Sequence, residues 1–188
     1  MPPKLYTSVR NPSAFVETLS ATVVALSAKT LHGAGPVGAG HAVKGVNNTL
    51  LAAHIVVAAE GLIALVKQGV PVESALDAIN GASGRSLVTE ERIPDHVLSG
   101  KFDFGFKLEL MRKDIDVCMR QLDTANVDAP MLRQVAQVFA DAEVELGKQD
   151  PEHMEVIRTW EDRNGVVLRH KDQPDGEWLG DGHVWLPK

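Results

Sequence analysis

The sequence has only one cysteine, Cys118, among its 188 residues. A disulfide framework within the chain is therefore excluded, and a reducing, cytoplasmic setting is the expectation. There is no excess of positive charge either. The formal net charge is −6, with 19 Lys and Arg against 25 Asp and Glu, and the basic residues are scattered. The electrostatic footprint of a nucleic-acid binder, or of a protein held on an anionic membrane surface, is thus missing. No charged-then-apolar leader opens the chain, so secretion is not expected. The seven histidines show no compact metal-ligand spacing, and Cys118 has no partner cysteine; no metal is expected. Cys118 instead reads as a small core residue of its helix. Internal repeats and low-complexity stretches are also absent.

What is present is one long apolar run, Leu50 to Val66, interrupted by His54 and Glu60. It falls short of the roughly 20 residues needed to cross a bilayer, so it reads as a buried helix and a membrane partner is not expected. A helix that is apolar on nearly all sides needs more covering than one amphipathic stripe would. A homo-oligomer built on this helix is therefore expected.

Along the chain, Lys4 to Val9 reads as extended, Asn11-Pro12 as a helix start, and Phe15, Leu19, Val23 and Leu26 recur at helical spacing, followed by a brief strand near Thr30 to His32. A glycine-rich turn, Gly33 to Gly40, leads into a helix from about His41 to Gln68. Gly69 is a stop, and Val72, Ala75, Leu76 and Ile79 mark a second helix ending near Gly81. Leu87 to Leu98, broken by Pro94, reads as two short helical turns, and Phe102 to Phe106 as a loop. Leu108, Met111, Ile115, Cys118 and Leu122 predict an amphipathic helix. Another helix, entered through Asp128 and Pro130, stops at Gly147, and Asp150-Pro151 opens a last one toward Trp160. In the tail, Val166 to Leu168 and Val184 to Leu186 read as short strands around a Pro174-Asp175-Gly176 turn. The expected fold is mainly α, with a small β-α-β unit in 1–36, a helical body in 37–161 and a β-like tail in 162–188.

Gly33-Ala-Gly35-Pro-Val-Gly38 satisfies the G-x-G-x-x-G pattern of a dinucleotide-binding turn. Pro36, however, has no N–H to offer a phosphate, and no second parallel strand ending in an acidic residue follows. A linker is the better reading. Taken a few residues later, Gly38-Ala-Gly40-His-Ala-Val-Lys44-Gly-Val-Asn47-Asn48 closely resembles the G-x-G-x-x-x-K-x-x-N-N signature of the β-hydroxyacid dehydrogenases, the family of 3-hydroxyisobutyrate dehydrogenase and tartronate semialdehyde reductase. The resemblance runs from Asn11 to about Trp160 and includes the GASGRS segment at Gly81 to Ser86, the Phe104-Gly105-Phe106 loop and the Lys113-Asp114 pair. It implies a helical body like the C-terminal domain of 6-phosphogluconate dehydrogenase, and an oxidoreductase acting with NAD or NADP on a small hydroxy acid.

Lys44 and Asn48 are four residues apart, hence on one helix face, where both can reach one small ligand. Taken alone, Lys44 reads as a solvated lysine in a first turn, and Lys113-Asp114 as an exposed charged pair. The resemblance implies that Lys44 is the acid/base group and that Asn48 orients substrate. It further implies that Lys113 approaches the cofactor and that Phe106 lines the same crevice. Ser83 and Ser86 are candidate donors to a substrate carboxylate, though such loops are more often simple turns. In the family a complete Rossmann domain precedes this region. Only its closing portion is recognisable in Asn11 to His32, so activity is expected to need a Rossmann-domain partner. Two other readings stay open: a non-catalytic dimerisation or ligand-binding module, and an enzyme using Lys44 as a Schiff base.

Overall fold

The computed structural model describes residues 38–147, 149–170, 176–179 and 184–187. The expected N-terminal β-α-β unit and most of the glycine-rich turn lie outside them. Helix α1, Ala39–Lys67, begins after Gly38, whose φ of 96° is one that glycine adopts without strain. It is followed by α2 (Val72–Asn80), a π-helical segment (Val88–Val97), α3 (Leu108–Thr124) and α4 (Pro130–Leu146). A 3-10 turn at His153–Glu155 then runs directly into α5 (Val156–Asn164). The punctuation read from the sequence accounts for most of these bounds. Pro130 occupies the first turn of α4, and Gly147 ends it in the left-handed region at φ 57°.

Among the described elements α1 is packed against α2, the π-helical segment, α3, α4 and α5. Its inner stripe of Ala52, Ile55, Ala59 and Leu62 is essentially sealed from solvent, as are Phe139 of α4, Met111 and Ile115 of α3, and Ile157 of α5. Cys118 is buried in the same body. The outer face is different. Val43, Val46, Leu50 and Val57 are each 39 to 56 % exposed and fall on one line of the helix. By length and composition α1 is long and apolar enough to cross a membrane, yet its inner stripe forms the middle of the bundle. Its all-round apolarity thus divides into a core face and an uncovered one.

Among the described residues the structure departs from the sequence reading in three places. Leu87 to Leu98 is one continuous segment, not two short turns, because Pro94 is accommodated by wide winding: Leu98 N–H donates to Ile93 O, five residues back, at 3.0 Å. A proline in an α-helix crowds the carbonyl four residues before it, and wider winding relieves that. Val166 to Leu168 is not a strand. The strands are β1 (Gly176–Leu179) and β2 (Val184–Pro187), an antiparallel pair with Trp178 opposite Trp185. Gly176, read as part of a turn, is the first residue of β1. Residues 166–170 instead form a strap whose donors are used elsewhere. Leu168 N–H donates to Glu161 Oε1 at 2.7 Å, Arg169 Nη1 to the same oxygen at 2.8 Å, and His170 N–H to Leu98 O at 3.1 Å.

The strap turns on a buried carboxyl. Loss of water pushes the Glu161 pKa above the usual carboxylate range, against the pull of Arg169 and the Leu168 N–H. A carboxyl whose pKa is raised on folding favours the fold below its unfolded pKa, and that contribution is lost as pH rises. Glu161→Gln is therefore expected to remove a stability loss that the parent chain suffers as pH climbs above the ordinary carboxylate range. Melting curves of the two proteins across that range should diverge with rising pH, and parallel curves would contradict the assignment.

Candidate functional site

The site starts from a glycine. A Cβ built on Gly45 would lie 3.1 Å from Val117 Cγ1 and 3.3 Å from both Asp114 O and Cys118 N, so α1 and α3 meet here almost backbone to backbone. This close crossing carries the face of α3 that bears Asp114 beneath Lys44 and Asn48, which flank Gly45 one turn apart. Asp114 is buried, and its Oδ2 accepts from Lys44 Nζ and from Asn48 Nδ2 at 2.6 Å. The Lys44 side chain remains 37 % exposed against 7 % for Asp114. The carboxylate is the buried anchor, and the ammonium is the end a solute can reach. Asn48 Oδ1 accepts from Asn47 Nδ2 at 3.1 Å. An amide carries two N–H donors, and the bond to Asp114 uses one of those on Asn48.

The other candidates are distributed unequally. Lys113 is exposed on α3, next to Asp114. Phe106 is half-buried just before α3, with its ring edge-on to His153 at 5.5 Å. Ser83 lies elsewhere: it lines a groove of about 440 Å³ with His54, Gly61 and Leu62 of α1. That groove is about 20 Å from Lys44 along the helix axis, at roughly 1.5 Å per residue. Within this chain Ser83 and Lys44 do not share a cavity. Ser86 is occupied locally, its Oγ accepting from Thr89 N–H at 3.2 Å while its own N–H donates to Thr89 Oγ1 at 2.9 Å. This is the reciprocal arrangement of a helix start. Asp114 is the member that the site-residue reading missed. Its signal is present in the sequence, since it falls one turn from buried Met111 and from Cys118 on α3, whereas Lys113 does not.

Residues 38–160 match the sequence profile of a family described as the NAD-binding domain of NADP-dependent 3-hydroxyisobutyrate dehydrogenase. The chain belongs to this family. The 3-hydroxyisobutyrate dehydrogenase family is one of NAD(P)-dependent 3-hydroxyacid dehydrogenases, and the Lys44, Asn48 and Asp114 cluster lies inside the matched region. Among relatives, the chain is 34 % identical to the 2-(hydroxymethyl)glutarate dehydrogenase of Eubacterium barkeri over 147 residues, covering 78 % of this chain and 48 % of that protein. It is 29 % identical to a probable 3-hydroxyisobutyrate dehydrogenase of Mycobacterium tuberculosis over 121 residues, covering 61 % of this chain and 41 % of the relative. The fold superposes on a solved Mycobacterium tuberculosis 3-hydroxyisobutyrate dehydrogenase, studied with L-serine, with a TM-score of 0.70 and 25 % identity over 80 % of this chain and 53 % of that one. The helical body is thus that of the family's C-terminal domain, as the signature implied. The chain spans about half the length of these relatives.

Two glycines of α1 give a paired test of the crossing. At Gly45 two of the three atoms a Cβ would meet are α3 backbone, which cannot swing aside, whereas at Gly61 nothing lies within 4 Å. Gly45→Ala should destabilise the fold by about 1–3 kcal/mol through overpacking, and Gly61→Ala should stabilise it by about 0.5–1 kcal/mol through helix propensity. Urea denaturation measures both. Equal effects at the two positions would remove Gly45 as the determinant of the crossing.

Proposed function

We propose that this chain supplies the substrate side of an NAD(P)-dependent 3-hydroxyacid dehydrogenase, with Lys44 as the acid/base group, Asn48 as a substrate-orienting donor and Asp114 as the buried anchor of both. The observation that carries this reading is the convergence of Lys44 Nζ and Asn48 Nδ2 on the single buried oxygen Asp114 Oδ2. An exposed lysine spends its rotamer freedom in water. Here the carboxylate holds the ammonium in one direction, and such pre-alignment favours proton transfer to a bound oxygen.

In the reducing direction the Lys44 ammonium donates a proton to the carbonyl oxygen of a short 3-oxo acid or semialdehyde, and in the oxidising direction the amine takes the hydroxyl proton. Asn48 fixes the same oxygen or its neighbour with its second N–H. The nicotinamide cofactor supplies or accepts the hydride. For that group the described residues offer one wall: Lys113 beside Asp114, and Phe106 at the start of α3. The reading places the dinucleotide's phosphates on a nucleotide-binding unit outside the described residues, with this body closing the nicotinamide end. Ser83, distant from Lys44 in one chain, serves substrate only if a second copy brings its groove to the cluster. The uncovered line Val43, Val46, Leu50 and Val57 favours such a homo-oligomer, and equally supports an assembly module that needs no catalysis.

The test is a titration of NADH and NADPH into the purified chain, alone and with a nucleotide-binding domain from a relative, followed by nicotinamide fluorescence and then by turnover of short 3-hydroxy acids. Turnover that falls by about 10²–10⁴ in Lys44→Ala, with Asp114→Asn also impaired, is the expected result. A Lys44→Ala protein as active as the parent would overturn the assignment. Absence of turnover in every combination, from a chain that light scattering shows to be an oligomer, would favour the assembly reading.

A further inference from the structure

The Phe104-Gly105-Phe106 loop is held by groups that the proposed chemistry does not use. Its backbone departs from ordinary conformations on both flanks of the tie. Phe102 has φ 51°, Gly105 φ 87°, and Asp150, at the other end of the tie, φ 57°. Two of these three are not glycine, and strained backbone of this kind persists only where surrounding contacts over-determine it. The contacts are present. Leu108 N–H donates to Pro151 O at 2.8 Å and His153 N–H to Phe106 O at 2.9 Å, which makes Lys107 and Glu152 an isolated antiparallel bridge. Phe106 N–H donates to Glu152 Oε1 at 3.2 Å. The same carboxylate caps the 3-10 turn, its Oε2 accepting from Met154 N–H at 2.8 Å.

His153 lies at the centre of this arrangement and is fully buried. Its Nδ1 is 2.9 Å from Phe106 O and 2.9 Å from Glu152 Oε1. Both neighbours are acceptors, so Nδ1 must carry the hydrogen. Nε2 is buried with no hydrogen-bond partner. The ring stands edge-on to Phe104 at 5.4 Å and to Phe106 at 5.5 Å, and the Arg92 guanidinium covers the outer face of Phe104 at 3.6 Å. Both backbone polar groups of Phe106 and the edge of its ring are therefore set by two consecutive residues far along the chain.

We propose that His153, with Glu152, is a positioning residue that fixes Phe106 at the edge of the nicotinamide crevice. The functional half of this rests on the reading of Phe106 given above; the clamp itself rests on the geometry alone.

The full chain, labelled with fluorophenylalanine, gives a readout that needs no activity. His153→Asn keeps an N–H donor near the Nδ1 position, whereas His153→Gln moves it outward. The Phe106 fluorine resonance, identified by its loss in Phe106→Leu, should stay in place in His153→Asn and shift or split in His153→Gln, with the core Phe139 resonance unmoved in both. Coincident Phe106 signals in all three proteins would overturn the clamp. If His153→Gln does not fold, the imidazole nitrogens of the parent chain decide: an Nδ1–H tautomer is required, and Nε2–H refutes it. With a nucleotide-binding domain present, His153→Gln should raise the cofactor KM about tenfold or more while changing kcat less, and His153→Asn should restore it. Loss of turnover in Lys44→Ala alongside an unaffected His153→Gln would sink this inference and leave the function standing. Parent-level turnover in Lys44→Ala would sink the function, leaving the fluorine and imidazole signals to judge the clamp.

Discussion

The close crossing of α1 and α3 at Gly45 is the constraint on which the site depends. A side chain of any size there would push Val117 and the α3 backbone away, and Asp114 would retreat from Lys44 and Asn48. At the observed separation a carboxylate can be buried, because it meets an ammonium and an amide donor instead of water. Burying a charge without such partners is costly enough that a chain normally avoids it. The geometry also has a helical foundation: Lys44 and Asn48 sit in the second and third turns of α1 and Asp114 within α3, none of them on a loop.

The rest of the body supports that crossing from a distance. α1 is held by α2, the π-helical segment, α3, α4 and α5, so Lys44 and Asn48 are aligned by the core that follows them in sequence. At the other end of α3, the pairing of the Phe106 segment with residues 151–153 fixes where the helix begins. The strap after α5 closes the far side through Glu161 and Arg169. The Phe106 tie and the bond from His170 N–H to Leu98 O join residues far apart in the chain, whereas the Glu161–Arg169 pair closes locally.

Family membership and geometry carry different weights. The match over 38–160 and the 34 % identity to a 2-(hydroxymethyl)glutarate dehydrogenase establish lineage, and the position of Asp114 supplies a physical reason for Lys44 and Asn48 to act as a unit. The outer line of α1 valines and a leucine is an apolar strip that the described body leaves uncovered.

Much was legible in the sequence. The sequence by itself determined the helical class, the long α1, the glycine stops of α2 and α4, the proline start of α4, and the Lys44–Asn48 pair, because these follow from local propensity and from spacings within one helix. The spacing of Asp114 from Met111 and Cys118 put it on the apolar face of α3, but not what it would meet there. A charge on such a face has no evident partner until the neighbouring helix is placed, and only then is Asp114 buried at a crossing while Lys113 is left in solvent. The wide winding around Pro94, the strap in place of a strand at 166–168, the separation of Ser83 from Lys44 and the burial of His153 between two phenylalanines were likewise decided by tertiary structure. In each case the deciding partner lies on another element, and the sequence specifies contacts between distant elements only through the packing of the whole body.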